Sequence, residues 1–291
     1  MADPADVPAI DVTFRPASIK TEPAPSPKNA LHPPPDTAMP NRVRNILLAI
    51  PVYNEKNTIQ TLLEQTLASL PDAVKSIAMI DDGSTDGSSQ KLDELTQMDR
   101  RILVFHQDQN CGYGRSMQRA LQIGLSRGFD SVITMDCDLQ HRPEDLIRFV
   151  EMPEDVDLVS GSRYMPDSRV EGQAAPEDRM EINSRITRAL NQRYGWQLTD
   201  AFCGFKRYRV QPELERLSEN GYAFPMEYWA LAFNLGLKIV EIPVSRIYTT
   251  DNRSFGEDLD QRRRRYAYYL RTWRRAEKRF GGEGPANSSG G

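Results

Sequence analysis

Short apolar runs alternate with stretches of helical spacing from Ile46 onward, and each run stops at a polar signature. Ile46–Ile50 ends at Pro51-Val52-Tyr53-Asn54-Glu55, and Ser76–Ile80 ends at Asp81-Asp82-Gly83-Ser84. Ile102–Phe105 leads to Asn110-Cys111-Gly112-Tyr113-Gly114, and Ser131–Met135 to Asp136-Cys137-Asp138-Leu139-Gln140. Between them, residues 58–70, 88–98 and 114–127 carry apolar side chains at helical intervals. Continuous apolar strands separated by amphipathic helices predict an α/β fold, a mostly parallel central sheet with helices on both faces. The second half is less regular: strands are expected at 156–160, 203–208 and 238–244, and helices at 180–194 and 227–235.

In such a sheet the carboxyl ends of the parallel strands share one rim, and ligands bind there. Three of the four signatures bring carboxylates to that rim. Asp136 and Asp138 stand one residue apart, so an extended backbone puts them on one side of the chain. Their repulsion is relieved by a divalent cation, and Mg²⁺ or Mn²⁺ takes carboxylate oxygens while completing its shell with water and phosphates. Gln140, two residues on, points the same way. A solvated acidic loop explains the pair equally well when it is taken alone. Asp86 or Gly87 suits a helix cap, which leaves Asp81 and Asp82 unexplained; one of that pair suits a base edge and the other ribose hydroxyls. Glu55 suits ribose too, or the dipole of the helix it precedes.

Composition excludes several classes. The formal charge of the 291-residue chain is −4, which does not favour nucleic acid as a partner. Three scattered cysteines make neither a disulfide frame nor a zinc site. No apolar run reaches the ~20 residues that span a bilayer, and the amino end lacks the apolar core of a signal peptide. A cytoplasmic protein, peripheral to the membrane at most, is expected. No serine or cysteine stands in a nucleophile elbow, so His106 and His141 do not indicate a hydrolytic triad; His141 suits a helix cap or a phosphate contact. Half of the twenty prolines fall before residue 41. The expected organisation is a disordered leader over 1–42, one catalytic domain over 43–257, a basic amphipathic helix over 258–280 and a flexible tail over 281–291. In that helix Tyr266, Tyr269, Leu270 and Trp273 share a face. They suit either packing on the core or lying on anionic lipid.

In order, "PVYNE", "DDGSTDGS", "DCDLQH", "GSRY", "DAFCGFKRY" and "NRSFGE" resemble the family-two inverting glycosyltransferases of GT-A fold. Within these they look most like dolichol-phosphate mannosyltransferases and other polyprenyl-phosphate glycosyltransferases. The resemblance covers residues 46–259. It implies a cation and donor-diphosphate site at Asp136, Asp138 and Gln140, and a nucleoside pocket of Pro51, Tyr53, Glu55 and Asp82 beside Asp81. It implies phosphate-gripping arginines at Arg163, Arg179 and Arg253, whose planar forks suit phosphate. The implied donor is GDP-mannose and the implied acceptor a polyprenyl phosphate. A UDP-sugar with a hydroxyl acceptor is the alternative, and a non-catalytic nucleotide-sugar-binding protein the second. A sugar nucleotidyltransferase is disfavoured, since no basic Gly-rich loop follows Ile50. A hydroxyl acceptor requires a general base, for which Asp200 and Glu227 are the candidates. Two departures stand out. Gly256-Glu257-Asp258-Leu259 replaces the relatives' Gly-x-Ser-Lys-Leu, so one positive charge toward the acceptor phosphate is either lost or supplied by another residue such as Arg262. Tyr113 and Arg115 stand where small residues are usual.

Overall fold

A computed structural model describes residues 44–172, 177–248 and 261–281. The proline-rich leader, the tail beyond Gly281 and the segment bearing Arg253 lie outside the described residues. Seven strands form the central sheet in the order β3-β2-β1-β4-β7-β5-β8. They are β1 (Ile46–Val52), β2 (Val74–Asp81), β3 (Ile102–His106), β4 (Ser131–Thr134), β5 (Leu158–Ser162), β7 (Lys206–Arg209) and β8 (Ile239–Pro243). All pairings are parallel except those of β7, which runs antiparallel to β4 on one side and β5 on the other.

Helices cover both faces, and β1 shows how the sequence specifies this. Leu47 and Ala49 join a core built with α3 (Tyr113–Ser126), α5 (Glu177–Tyr194) and α6 (Phe224–Asn234). Ile46, Leu48 and Ile50 join a second core with α1 (Ile59–Ala68), α2 (Ser88–Leu95) and α4 (Leu146–Glu151). Both sets are fully buried, so β1 is apolar throughout instead of alternating. A small parallel pair, β6 (Val170–Gly172) with β9 (Arg246–Tyr248), was not expected; three residues each are too few to carry a periodic signal.

The basic carboxy-terminal helix, α7 (Arg262–Gly281), packs on α6 and α5. It runs alongside α5 in the same direction: Arg262 pairs with Glu181 near one end and Arg193 with Glu277 at 2.8 Å near the other. Tyr269, Trp273, Ala276 and Phe280 are buried, Tyr266 and Leu270 partly so, and Trp273 Nε1 donates to the Tyr194 hydroxyl at 2.6 Å. Each large side chain buried in this way contributes about 2 kcal/mol. Of the two uses the aromatic stripe admitted, this is core packing. The outward stripe is Arg263, Ala267, Arg271, Arg274 and Lys278, all exposed. Among the described residues no helix is long and apolar enough to cross a membrane.

Candidate active site

β4 ends at Thr134, two residues before Asp136, so regular strand geometry does not itself place the acids. The alternation nevertheless persists: Met135 and Cys137 are in the core while Asp136 and Asp138 are half-buried on the other side. A left-handed residue at Leu139 (φ 58°) then turns the chain, and the Gln140 amide donates to Asp138 Oδ1 at 3.1 Å.

The Asp136 carboxylate lies over Gly204. A Cβ at 204 would stand 2.7 Å from Asp136 Oδ1 and closer still to Oδ2, so no other residue fits without moving it. The Thr134 hydroxyl donates to the Gly204 carbonyl at 2.6 Å and locks this approach. Two more groups flank the carboxylate: the Tyr113 hydroxyl, 3.5 Å from Oδ1, and His141 Nε2, 3.7 Å from Oδ2. His141 is buried and stacks on Phe205 at 5.2 Å, and its Nδ1 finds no partner among the described residues. It caps no helix; it is a neighbour of Asp136. Its position directly after Gln140 was the only available signal.

Asp81 and Asp82 are both buried, and both are satisfied by the protein itself. Asp81 accepts from Ser84 N at 3.0 Å and Ser89 Oγ at 2.6 Å, and its Oδ2 lies 2.7 Å from His106 Nδ1. Burial pushes its pKa up, but these hydrogen bonds outweigh that and hold it below the usual value. Asp82 accepts from Cys111 N, Gly112 N and Gln107 Nε2 at 2.8 to 2.9 Å. There burial wins, followed by repulsion from Asp81, and the pKa is raised. Pro51 is half-buried within β1, Tyr53 is exposed, and Glu55 accepts from the Thr58 hydroxyl at 2.7 Å. An open cleft of about 380 Å³ lies beside this rim, lined by Asp81, Gly83, Ser84, Thr85, Gln107 and Asp108 among others.

Two predicted residues meet each other. Arg163 donates to both oxygens of Asp200, from Nε at 2.7 Å and Nη2 at 3.0 Å. Asn183 donates to the same carboxylate at 2.8 Å. Burial alone would push Asp200 upward, but Arg163 first, then Asn183 and Lys206, bring its pKa to about 2. Glu227, the second candidate base, is buried in α6. It accepts from Ser218 N at 2.8 Å, Ser218 Oγ at 2.9 Å, Glu219 N at 2.6 Å and Arg279 Nη1 at 2.8 Å. It fastens α6 to α7 and to the turn at Ser218 and Glu219. Arg179 is half-buried near the start of α5 and, with Arg265, lies close enough to Tyr269 to lower that phenol's pKa against the larger effect of burial. Arg262 pairs with Glu181 at the start of α7.

No three Asp, Glu, His or Cys side chains converge as a metal cage among the described residues. Asp136, Asp138 and Gln140 nevertheless fit a hard divalent cation of the kind that keeps only one or two carboxylates and takes the rest of its shell from phosphate and water. The space for the Asp136 carboxylate is built in, through the missing Cβ at Gly204.

Residues 48–215, more than half of the chain, match the sequence family described as Glycosyl transferase family 2. An undecaprenyl-phosphate mannosyltransferase of Micrococcus luteus is 31% identical over 218 residues, covering 73% of this chain and 86% of that protein. A polyprenol monophosphomannose synthase of Mycolicibacterium smegmatis is 29% identical, covering 72% of this chain and 80% of the relative. Among solved structures, a glucosyl-3-phosphoglycerate synthase of Mycobacterium tuberculosis with Mn²⁺, uridine diphosphate and glucosyl-3-phosphoglycerate superposes with a TM-score of 0.59. It is 20% identical and the match covers 81% of this chain and 80% of that one, a likeness of fold.

Proposed function

The chain belongs to glycosyl transferase family 2, and on that premise we propose that it transfers mannose from GDP-mannose to a polyprenyl phosphate of the dolichyl type. That it is a glycosyltransferase follows from the family and from its polyprenyl-phosphate mannosyltransferase relatives.

One observation carries the choice of acceptor. A hydroxyl acceptor must lose a proton, and the two carboxylates available for that work are both engaged. Asp200 is held at about pKa 2 by Arg163 and Asn183, and Glu227 is tied to Ser218, Glu219 and Arg279. A phosphate monoester has a second pKa of about 6 and attacks as the dianion, with no base required.

In this reading the nucleoside lies near Pro51, Tyr53, Glu55 and Asp82, beside the open cleft. Asp136, Asp138 and Gln140 hold the diphosphate end. When bound there, Mg²⁺ or Mn²⁺ supplies positive charge to the departing diphosphate. The bond from sugar C1 to the diphosphate oxygen breaks, a bond from C1 to an acceptor phosphate oxygen forms on the opposite face, and the configuration inverts. Arg163, kept in place by Asp200, and Arg179 would serve the phosphates, the role the family resemblance also gives to Arg253. Charge stabilisation is worth most where the charge develops, in a site shielded from water.

Peripheral contact with anionic lipid is proposed through the outward stripe of α7 alone, at about 1 kcal/mol per basic residue near the surface. The aromatic residues are used internally.

The test is transfer from GDP-mannose or UDP-glucose to a short polyprenyl phosphate or the corresponding polyprenol, with and without chelator. Expected is transfer from GDP-mannose to the phosphate only, abolished by chelator and reduced by roughly 10²- to 10³-fold in Asp136→Asn. Equal transfer to the polyprenol would reject the phosphate-acceptor reading.

A further inference from the structure

Tyr113 opens α3, and nothing in the sequence patterns gives it a task. Its hydroxyl is the hydrogen-bond donor that reaches Oδ1 of Asp136 among the described residues. His141 stands at the other oxygen and Gly204 beneath both.

The ring itself is held. It stacks on Tyr222 with centroids 5.9 Å apart and planes 15° from parallel. Tyr222 belongs to a strap, residues 218–222, tied at both ends. On one side the Glu219 carboxylate accepts from the Tyr268 hydroxyl at 2.6 Å, from the Thr272 hydroxyl at 3.4 Å and from Arg275, all on α7. On the other, Arg115 N donates to the Asn220 carbonyl at 3.1 Å and Gln118 Nε2 to the Glu219 carbonyl at 2.9 Å, both from α3. Gly114 permits this contact, since a Cβ there would lie 2.8 Å from the Asn220 carbonyl carbon. The carboxy-terminal helix therefore reaches Asp136 through Glu219, Tyr222 and Tyr113.

We propose that Tyr113 is a positioning residue, whose hydroxyl, braced by Tyr222, holds the Asp136 carboxylate in the orientation required to receive a cation and its diphosphate. This rests on the reading of Asp136 as the donor-diphosphate carboxylate. Partners that orient a metal-binding side chain are worth roughly 10- to 100-fold in metal affinity, and a tyrosine hydroxyl at long range falls at the lower end.

The experiment titrates the full chain with GDP and with UDP, each at fixed and zero Mn²⁺, by calorimetry, alongside kcat, KM and the thermal midpoint. Tyr113→Phe removes only the hydroxyl. It is expected to weaken Mn²⁺-linked nucleotide binding by about tenfold, leaving Mn²⁺-free binding and the thermal midpoint unchanged. Tyr222→Ala keeps the hydroxyl but removes the stacked ring, and is expected to lose a smaller part of the same affinity, restored in Tyr222→Phe. If Tyr113→Phe binds as the wild type does while Asp136→Asn loses the Mn²⁺-linked component, the proposal is overturned and the assignment of Asp136 stands. If Asp136→Asn also leaves that component intact, the assignment of Asp136 fails and the proposal falls with it.

Discussion

Asp81 and Asp82, in the first half of the chain, are met chiefly by N–H, hydroxyl and imidazole groups, none more than 30 residues away. Asp200, Glu219 and Glu227, in the second half, are met by arginines 37, 56 and 52 residues distant. The Ser84 and Ser89 contacts of Asp81 form while the chain makes a turn, and the partners of Asp82 and His106 come from the neighbouring β3 and the loop after it. Distant arginines satisfy an acid only once the whole domain has assembled. The first half therefore presents a prefabricated rim, and the second uses its charges to hold elements together around it. Breaking an ion pair buried on one side costs more than removing one dipolar partner, because the other charge stays behind.

This contrast sets an order of sensitivities. Asp200→Ala leaves Arg163, itself largely shielded, beside an empty space; a loss of about 3 to 5 kcal/mol in urea unfolding is expected. Glu227→Gln keeps part of the hydrogen bonding but strands Arg279, whose side chain is nearly half exposed; about 2 kcal/mol is expected. Asp82→Asn retains one oxygen acceptor and should cost about 1 kcal/mol. If Asp82→Asn proved costlier than Asp200→Ala, the distinction between the halves would not hold.

The smallest effect sharpens the comparison through its sign. The pKa of His106 is raised, first by its hydrogen bond to Asp81 and further by Asp93, against burial. Its contribution is fully present below its unfolded value of about 6.5 and is lost as pH rises through the folded value. The ring is 40% exposed, so less than about 1 kcal/mol is involved. The stability gap between wild type and His106→Gln should be wider at about pH 5.5 than at about pH 8.5. Asp200 behaves oppositely. Its depressed pKa gives a contribution present above about 3.9 and lost as pH falls through about 2. Raising the pH therefore weakens the first interaction, and lowering it towards about 2 weakens the second, which chemical unfolding at several pH values would resolve.

The same contrast explains what could be read in advance. The strands and helices up to β4 follow from apolar runs and helical spacing, because each buries a periodic face close to home. The direction of β7 did not, since Lys206–Arg209 pairs with strands on either side through register that no local pattern encodes. Within the site, Asp136 and Asp138 were legible as a pair. The engagement of Arg163 with Asp200 was not: each looked like a separate functional group, and only the fold brings them together. Glu219 carried no signal at all, because its partners lie on α7, and Tyr113 was conspicuous but could not be interpreted without Asp136 and Tyr222 beside it.

The reversed strand has a consequence for synthesis. β7 fills the place between β4 and β5, so the middle of the sheet stays open until residues 206–209 have left the ribosome. Before then β4 has an open edge and β5 has no strand partner at all, and such edges invite wrong partners. The same strand brings Gly204 to the end of β4, so closing the middle of the sheet and completing the rim around Asp136 come in one stroke.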